Sequence, residues 1–276
     1  MSESESILRF EDVTVTFADG TEAVKDVSFK VCEGETRILF GAAGSGKTVL
    51  LKTAIGLERP SAGKVTLFGR EIQNLAETEL FGIRQKVGML FQESALFDSL
   101  TIERNVAYPL LTRKGTKKDE AANGSKKLDV RARIKEALEF VELGQTLKLL
   151  PSELSGGMRR RAAIARAVVT KPPLLLYDSP TAGLDPITAH TIMALIIKER
   201  DLDNTTTLVV THRYQDGNLV ANFRYNPENG QLVPSEDAAR RTKFMVLKEG
   251  RLTFEGSQEE MEASTDEYVR KFVKKD

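Results

Sequence analysis

Eight consecutive residues, Gly41-Ala42-Ala43-Gly44-Ser45-Gly46-Lys47-Thr48, combine the residue types needed to hold a row of phosphates, and they fit G-x-x-x-x-G-K-[ST]. Glycines let successive backbone N–H groups curl around phosphate oxygens. The start of a helix favours the anion, Lys47 can reach the outer phosphates, and the Thr48 hydroxyl suits Mg2+. Later in the chain the apolar run Leu174-Leu175-Leu176-Tyr177 ends in Asp178, one carboxylate at the end of a strand, as a metal-binding acid is presented beside such a loop. Strands often end in Asp, so Asp178 draws its weight from the loop at Gly41. A third group, Leu154-Ser155-Gly156-Gly157-Met158, reads as a helix start with Ser155 as N-cap. A hydroxyl and bare glycine backbone at a helix N-terminus also make an anion site. Arg159, Arg160 and Arg161 follow, with a simple solvated face as one reading of them.

These groups need elements to place them. Leu8, Phe10, Val13, Val15 and Phe17 fall close to period-two spacing, as do later residues up to Val31, which predicts antiparallel strands and an edge sheet at the start of the chain. Residues 37–40 form a short apolar strand that runs into the glycine-rich turn and then into a helical pattern over residues 48–57, a strand-loop-helix unit. Apolar strands follow at residues 87–91, 174–177 and 207–210, separated by helical stretches, so a mostly parallel and covered sheet is expected. Residues 130–143 and 156–169 carry helical periodicity and belong to an inserted helical subdomain spanning residues 93–170, between core segments 1–92 and 171–276 of a single domain. Two polar insertions interrupt this pattern. Residues 114–129 have little to bury and read as a mobile surface loop; residues 222–241 contain Asn229-Gly230 between Tyr225 and Leu232, which predicts a small hairpin. The chain shows no internal repeat.

Composition limits the function classes. With 276 residues, 41% of them hydrophobic, the chain can build a sizeable core. Lys plus Arg equals Asp plus Glu at 40 each, so no global field draws the chain to nucleic acid or anionic lipid. No basic segment followed by an apolar stretch opens the chain, and no run of about 18 apolar residues appears. The expectation is a chain neither exported nor membrane-spanning, attached to a membrane only through a partner. Its lone cysteine, Cys32, cannot form an internal disulfide; it suits a reducing compartment and reads as a small core residue in a strand.

Taken with the loop at Gly41 and with Asp178, the stretch Leu154-Ser155-Gly156-Gly157-Met158 resembles the signature of the ABC ATPases. The resemblance implies an α/β P-loop NTPase of the ABC ATPase fold, with a mixed sheet, an antiparallel edge sheet and the helical subdomain. It also implies a homodimer in which the signature of one subunit covers the nucleotide, ATP with Mg2+, held by the loop of the other. By the same resemblance Phe17 is the aromatic on which adenine stacks, with edge-strand core as the alternative reading. Gln92 is the glutamine that reaches Mg2+ and the attacking water, Gly183-Leu184-Asp185 is the loop crossing the dimer seam, and His212 contacts the γ-phosphate.

One position departs from the family pattern: Asp178 is followed by Ser179-Pro180 where the family has Glu to polarise the attacking water. A Ser hydroxyl is a poor proton acceptor near neutral pH, and loss of a positioned base costs about 10²- to 10⁴-fold. Slow turnover is therefore expected, or rescue by His212 and Gln92, and a non-hydrolysing ATP-gated clamp remains an alternative.

Residues 89–97, 105–110, 150–158, 185–188 and 266–273 resemble the Mla/Mce-type lipid transport ATPases in particular. That branch implies a permease dimer in the bacterial inner membrane, docked on its cytoplasmic side near Gln92 to Phe97, and a periplasmic Mce-type lipid-binding protein in the same complex. Phe97 packing the helical subdomain is the other reading of that residue. Small-solute import is the alternative among transporters. A membrane-free ABC-type ATPase would bring a coiled-coil insertion, zinc-binding cysteines or a second nucleotide domain, and the sequence has none of these.

Overall fold

The computed structural model describes residues 6–112 and 130–273. The expected loop at 114–129 lies outside the described residues. Two sheets organise the chain. The first is antiparallel, in the order β2-β1-β4-β5, built from β1 (Ser6–Thr16), β2 (Glu22–Cys32), β4 (Ala62–Leu67) and β5 (Arg70–Glu71). The second has the order β12-β11-β3-β8-β7-β6. It comprises β3 (Thr36–Phe40), β6 (Val87–Leu90), β7 (Leu174–Asp178), β8 (Thr206–Val210), β11 (Thr242–Lys248) and β12 (Arg251–Gly256), all parallel except the β11–β12 pair.

Both faces of the second sheet are covered, and each strand splits its side chains between them by the two-residue alternation of a pleated strand. Ile38, Phe40, Leu175, Tyr177, Val209, Phe244 and Val246 enter one core with the helices α3 (Ile102–Thr112), α4 (Val130–Phe140), α5 (Gly156–Val168) and α6 (Pro186–Asp203). Leu39, Leu174, Leu176, Leu208, Val210, Met245 and Leu247 enter the other. That core also holds Leu50 and Leu51 of α1 (Lys47–Ala54) and the inner face of the antiparallel sheet, so α1 lies sandwiched between two sheets. The nearly continuous apolar runs of β3, β7 and β8 follow from burial on both sides.

Local chemistry sets the element ends. Asp185 caps α6 by accepting from the Ile187 and Thr188 amides, Pro186 occupies its first turn, and Asn204 in a left-handed conformation (φ 49°) closes it. Ser155 caps α5 by accepting from the Met158 amide at 3.2 Å. The expected hairpin is present as β9 (Phe223–Asn226) and β10 (Gln231–Pro234), closed by a four-residue loop, 227–230, in which Gly230 adopts φ 72° and donates to the Asn226 carbonyl at 2.9 Å. Cys32 ends β2 only half-buried, because it is the last residue of its strand rather than a core position. No described helix is long and apolar enough to cross a membrane.

Candidate nucleotide site

The loop at residues 41–48 leaves the C-terminal end of β3 and enters α1, with Gly46 as N-cap at φ 101°. Only glycine suits that position: the backbone is left-handed and a Cβ would be driven into the Ala23 carbonyl of β2. Gly44 is also left-handed, at φ 74°, and faces open space. Lys47 folds back over the loop, its Nζ donating to the carbonyls of Gly41 at 2.8 Å and Ala42 at 2.7 Å and to Ser45 Oγ at 3.3 Å. Burial lowers the Lys47 pKa and the Asp178 carboxylate opposes that shift. The lysine is thus held on carbonyls that phosphate oxygens can replace.

Thr48 Oγ1 donates to Asp178 Oδ2 at 2.7 Å, so the hydroxyl and the carboxylate converge across the gap between α1 and β7. Among the described residues no group of three or more His, Cys, Asp and Glu could hold a metal on its own. A hydroxyl and a single carboxylate beside a phosphate cradle match Mg2+, which keeps several waters and shares its remaining positions with phosphate oxygens.

Asp178 is buried, and Ser179 beside it adopts φ 50°. The Ser179 amide donates to the Val210 carbonyl at 2.9 Å and its Oγ to Asp178 Oδ1 at 3.2 Å. His212 follows β8, between β3 and β7 in the sheet, and is exposed. The loops after β7 and β8 are tied by a residue that sequence reasoning missed. Asp216, buried in the first turn of α7 (Tyr214–Asn222), accepts at Oδ2 from Thr181 Oγ1 at 2.6 Å and Thr211 Oγ1 at 2.7 Å. An acid in a first helical turn is ordinary, so the sequence carries no signal separating Asp216 from a dipole partner.

Ser155, Gly156 and Gly157 lie elsewhere. They line a cleft of about 490 Å³ with Arg161, Asp185 and Thr188, and a Cβ on Gly157 would meet Thr188 Cγ2 at 2.7 Å, so glycine lets α5 and α6 start side by side. Hydrogen bonds from Thr188 hold the Asp185 carboxyl below its ordinary value. Gln92, which is exposed, and Gly183 line the neighbouring depression with Arg159 and Arg160. Neither hollow is lined by a residue of the loop at 41–48.

Of the three arginines Arg159 is exposed, as on a solvated face, whereas Arg161 is half-buried and Arg160 is not on such a face at all. Arg160 is buried and donates to the carbonyls of Phe91 (3.2 Å), Gln92 and Ala182 (3.4 Å). Arg159 donates to the Leu154 carbonyl at 2.7 Å and Arg161 to that of Val141 at 3.1 Å. Loop carbonyls after β6 and β7 have no strand partner, and arginine forks supply the donors they need. Arg166 does the same for Ser94 and Ala95, at 2.8 and 2.7 Å, in a segment where both residues are left-handed.

Phe17 stands in the turn after β1, its amide donating to the Thr21 carbonyl at 2.9 Å, and is 39% exposed, so it is not edge-strand core. Phe97 is 41% exposed and tilts against Tyr108 with ring centroids 4.8 Å apart. The two aromatics line a groove of about 520 Å³ together with Phe81, Met89, Phe91 and Arg166. Buried Asn105 holds the rim, accepting from the Phe97 amide at 2.7 Å and donating to the Phe97 carbonyl at 3.1 Å.

Comparison with known proteins agrees with this geometry. A family model described as ABC transporter matches residues 24–182. The cell division ATP-binding protein FtsE of Escherichia coli strain K12 is 38% identical over 219 residues, covering 79% of this chain and 92% of FtsE. The methionine import ATP-binding protein MetN of Bifidobacterium longum is 36% identical over 240 residues, covering 85% of this chain. The chain spans just over half, 57%, of the length of that protein. Among solved structures, a dimeric ATP-binding cassette in a post-hydrolysis state bound to ADP and Pi superposes with a TM-score of 0.74 at 30% identity, covering 91% of this chain and 98% of the cassette.

Proposed function

The chain belongs to the ABC transporter family of ATP-binding proteins, and from that premise we propose that it is an ATPase subunit which dimerises around ATP and Mg2+ to drive a separate membrane permease. The observation that carries the proposal is the division of the site. The loop at 41–48 meets Asp178 through Thr48, while Ser155, Gly156 and Gly157 line a separate hollow that contains no residue of that loop. A helix N-terminus with a capping hydroxyl and bare glycine backbone has affinity for phosphate but no phosphate-holding loop of its own. Two copies placed head to tail supply each loop with a cap.

Within the site, backbone amides of the loop and Lys47 hold the phosphates of ATP, and Lys47 exchanges the Gly41 and Ala42 carbonyls for phosphate oxygens. Thr48 and Asp178 hold Mg2+, with Gln92 reaching it from the loop after β6; the ion supplies charge neutralisation at the outer phosphates. Phe17 offers its exposed ring to adenine, His212 contacts the γ-phosphate, and Asp185 crosses the dimer seam. The apolar lining of the groove at Phe81, Phe97 and Tyr108 supports it as the seat of the permease's cytoplasmic segment, and the reading has the chain on the cytoplasmic side of the bacterial inner membrane.

The cargo assigned is phospholipid or a related lipid, in an Mla/Mce-type system with a periplasmic Mce-type lipid-binding protein. Its support is the resemblance at residues 89–97, 105–110, 150–158, 185–188 and 266–273. Small-solute import is the second reading, favoured by the likeness to a methionine import protein. Light scattering with saturating ATP and Mg2+ tests the common core: a dimer is expected, and a monomer, alone and with the permease, overturns it. With the permease reconstituted, ATPase stimulation by phospholipid delivered on the Mce-type protein, and not by methionine, supports the lipid reading; the reverse supports import.

A further inference from the structure

The C-terminal helix α10 (Glu267–Val273) reaches back to the phosphate loop, far in sequence from the family match at residues 24–182. The Ala42 amide donates to the Tyr268 hydroxyl at 3.1 Å, and that hydroxyl donates to the Leu247 carbonyl at 3.4 Å. The same carbonyl stands against Gly41, where a Cβ would approach it to 2.5 Å. Tyr268 therefore bridges the first turn of the loop to the end of β11.

The bridge is well anchored. Asp266 accepts from the Tyr268 and Val269 amides at 2.7 and 3.1 Å and starts the helix, Val269 is fully buried, and Phe272 packs on Phe40 with centroids 5.9 Å apart. Tyr268 meets Phe272 edge-on at 5.3 Å, while the ammonium groups of Lys248 and Lys271 lie 5.2 and 5.9 Å from its ring centre. Its hydroxyl has little freedom to leave.

Ala42 is gripped from two sides, its carbonyl by Lys47 and its amide by Tyr268. Phosphate binding draws Lys47 away and removes the first grip, which leaves the second to keep the loop curled. We propose that Tyr268 is a positioning residue for the nucleotide, a brace that preserves the bound curl of the loop once Lys47 has turned to phosphate. The proposal rests on residues 41–48 being the nucleotide site.

The test is Tyr268→Phe, which keeps the ring, its aromatic contact and its two cation neighbours and deletes only the oxygen. Affinities for ATP with Mg2+ and for inorganic tripolyphosphate with Mg2+ are measured by calorimetry, beside the thermal midpoint without ligand. Both affinities should fall together by about 3- to 10-fold, the net worth of one neutral hydrogen bond, while the ligand-free midpoint stays within about 2 °C. A plain packing role would lower the midpoint and spare the affinities. Affinities within 2-fold of the parent, or a loss for ATP alone, overturn the brace. A parent that binds neither ligand overturns the site itself, and the brace with it.

Discussion

Replacing Ser179 by Glu asks most directly whether chemistry is limited by the residue after Asp178. Ser179 sits at the end of β7 with its amide tied to Val210 and its Oγ 3.2 Å from Asp178 Oδ1, so a longer acid at this position starts from the wall of the Mg2+ site. The substitution adds no backbone strain of its own, because Ser already holds φ 50° and Glu would inherit it. It forfeits the contact with Asp178 and sets two carboxylates side by side, a cost of about 1–2 kcal/mol that a fold stable by about 5–15 kcal/mol tolerates. Against this, a positioned general base is worth about 10²- to 10⁴-fold, or about 3–5 kcal/mol of barrier at 1.36 kcal/mol per decade. Steady-state phosphate release at saturating ATP and Mg2+ should therefore rise by at least two orders of magnitude, with nucleotide affinity measured separately and changed by no more than about 3-fold. A rate equal to the parent's would refute the reasoning and shift the burden to His212 and Gln92.

Two further outcomes follow from groups outside the phosphate loop. Phe97→Ala should weaken co-purification of the permease while leaving ATP affinity as it was, since the ring is 41% exposed and its loop is held by Asn105 and Arg166; loss of both would assign Phe97 to the core. Burial, and after it Asp203, raises the carboxyl of Glu199 on α6 from 4.5 to about 7, so the unfolded chain releases that proton at lower pH than the native one and stability falls as pH rises from about 4.5 to 7. Glu199→Gln should therefore gain up to about 3 kcal/mol over the parent at pH 8 and under about 1 kcal/mol at pH 5; parallel pH profiles of the urea midpoint would refute it.

The fold was legible because its strands carry their burial on their faces. Apolar runs at β3, β7 and β8 announce a sheet covered on both sides, and alternation in β1 and β2 announces one covered on a single side. The glycine-rich loop was legible because Gly44 and Gly46 hold left-handed backbone that side chains rarely adopt, so the conformation shows in the residue type. What stayed hidden is what depends on tertiary partners. Three consecutive arginines look alike in a sequence, yet Arg160 turns inward because the carbonyls of Phe91, Gln92 and Ala182 need donors. Asp216 and Tyr268 meet Thr181 and Ala42 across long separations that no local period encodes.

Those hidden contacts explain how two distant events can be joined. Helix α5 presents Ser155, Gly156 and Gly157 at its N-terminus, grips the carbonyls of Phe91 and Gln92 through Arg160 in its second turn, and holds those of Ser94 and Ala95 through Arg166 near its end. The helix's own hydrogen bonds and the core around Ala162, Ala163 and Ile164 resist bending. On the proposed function, a permease segment seated in the groove at Phe97 would bear on a loop bonded to the same helix whose N-terminus would cap a second copy's nucleotide. Through the Ala182 carbonyl, Arg160 also couples that loop to the segment leading to Asp185. On that reading, docking on one side and closure of the dimer on the other act on one element, so each would bias the other.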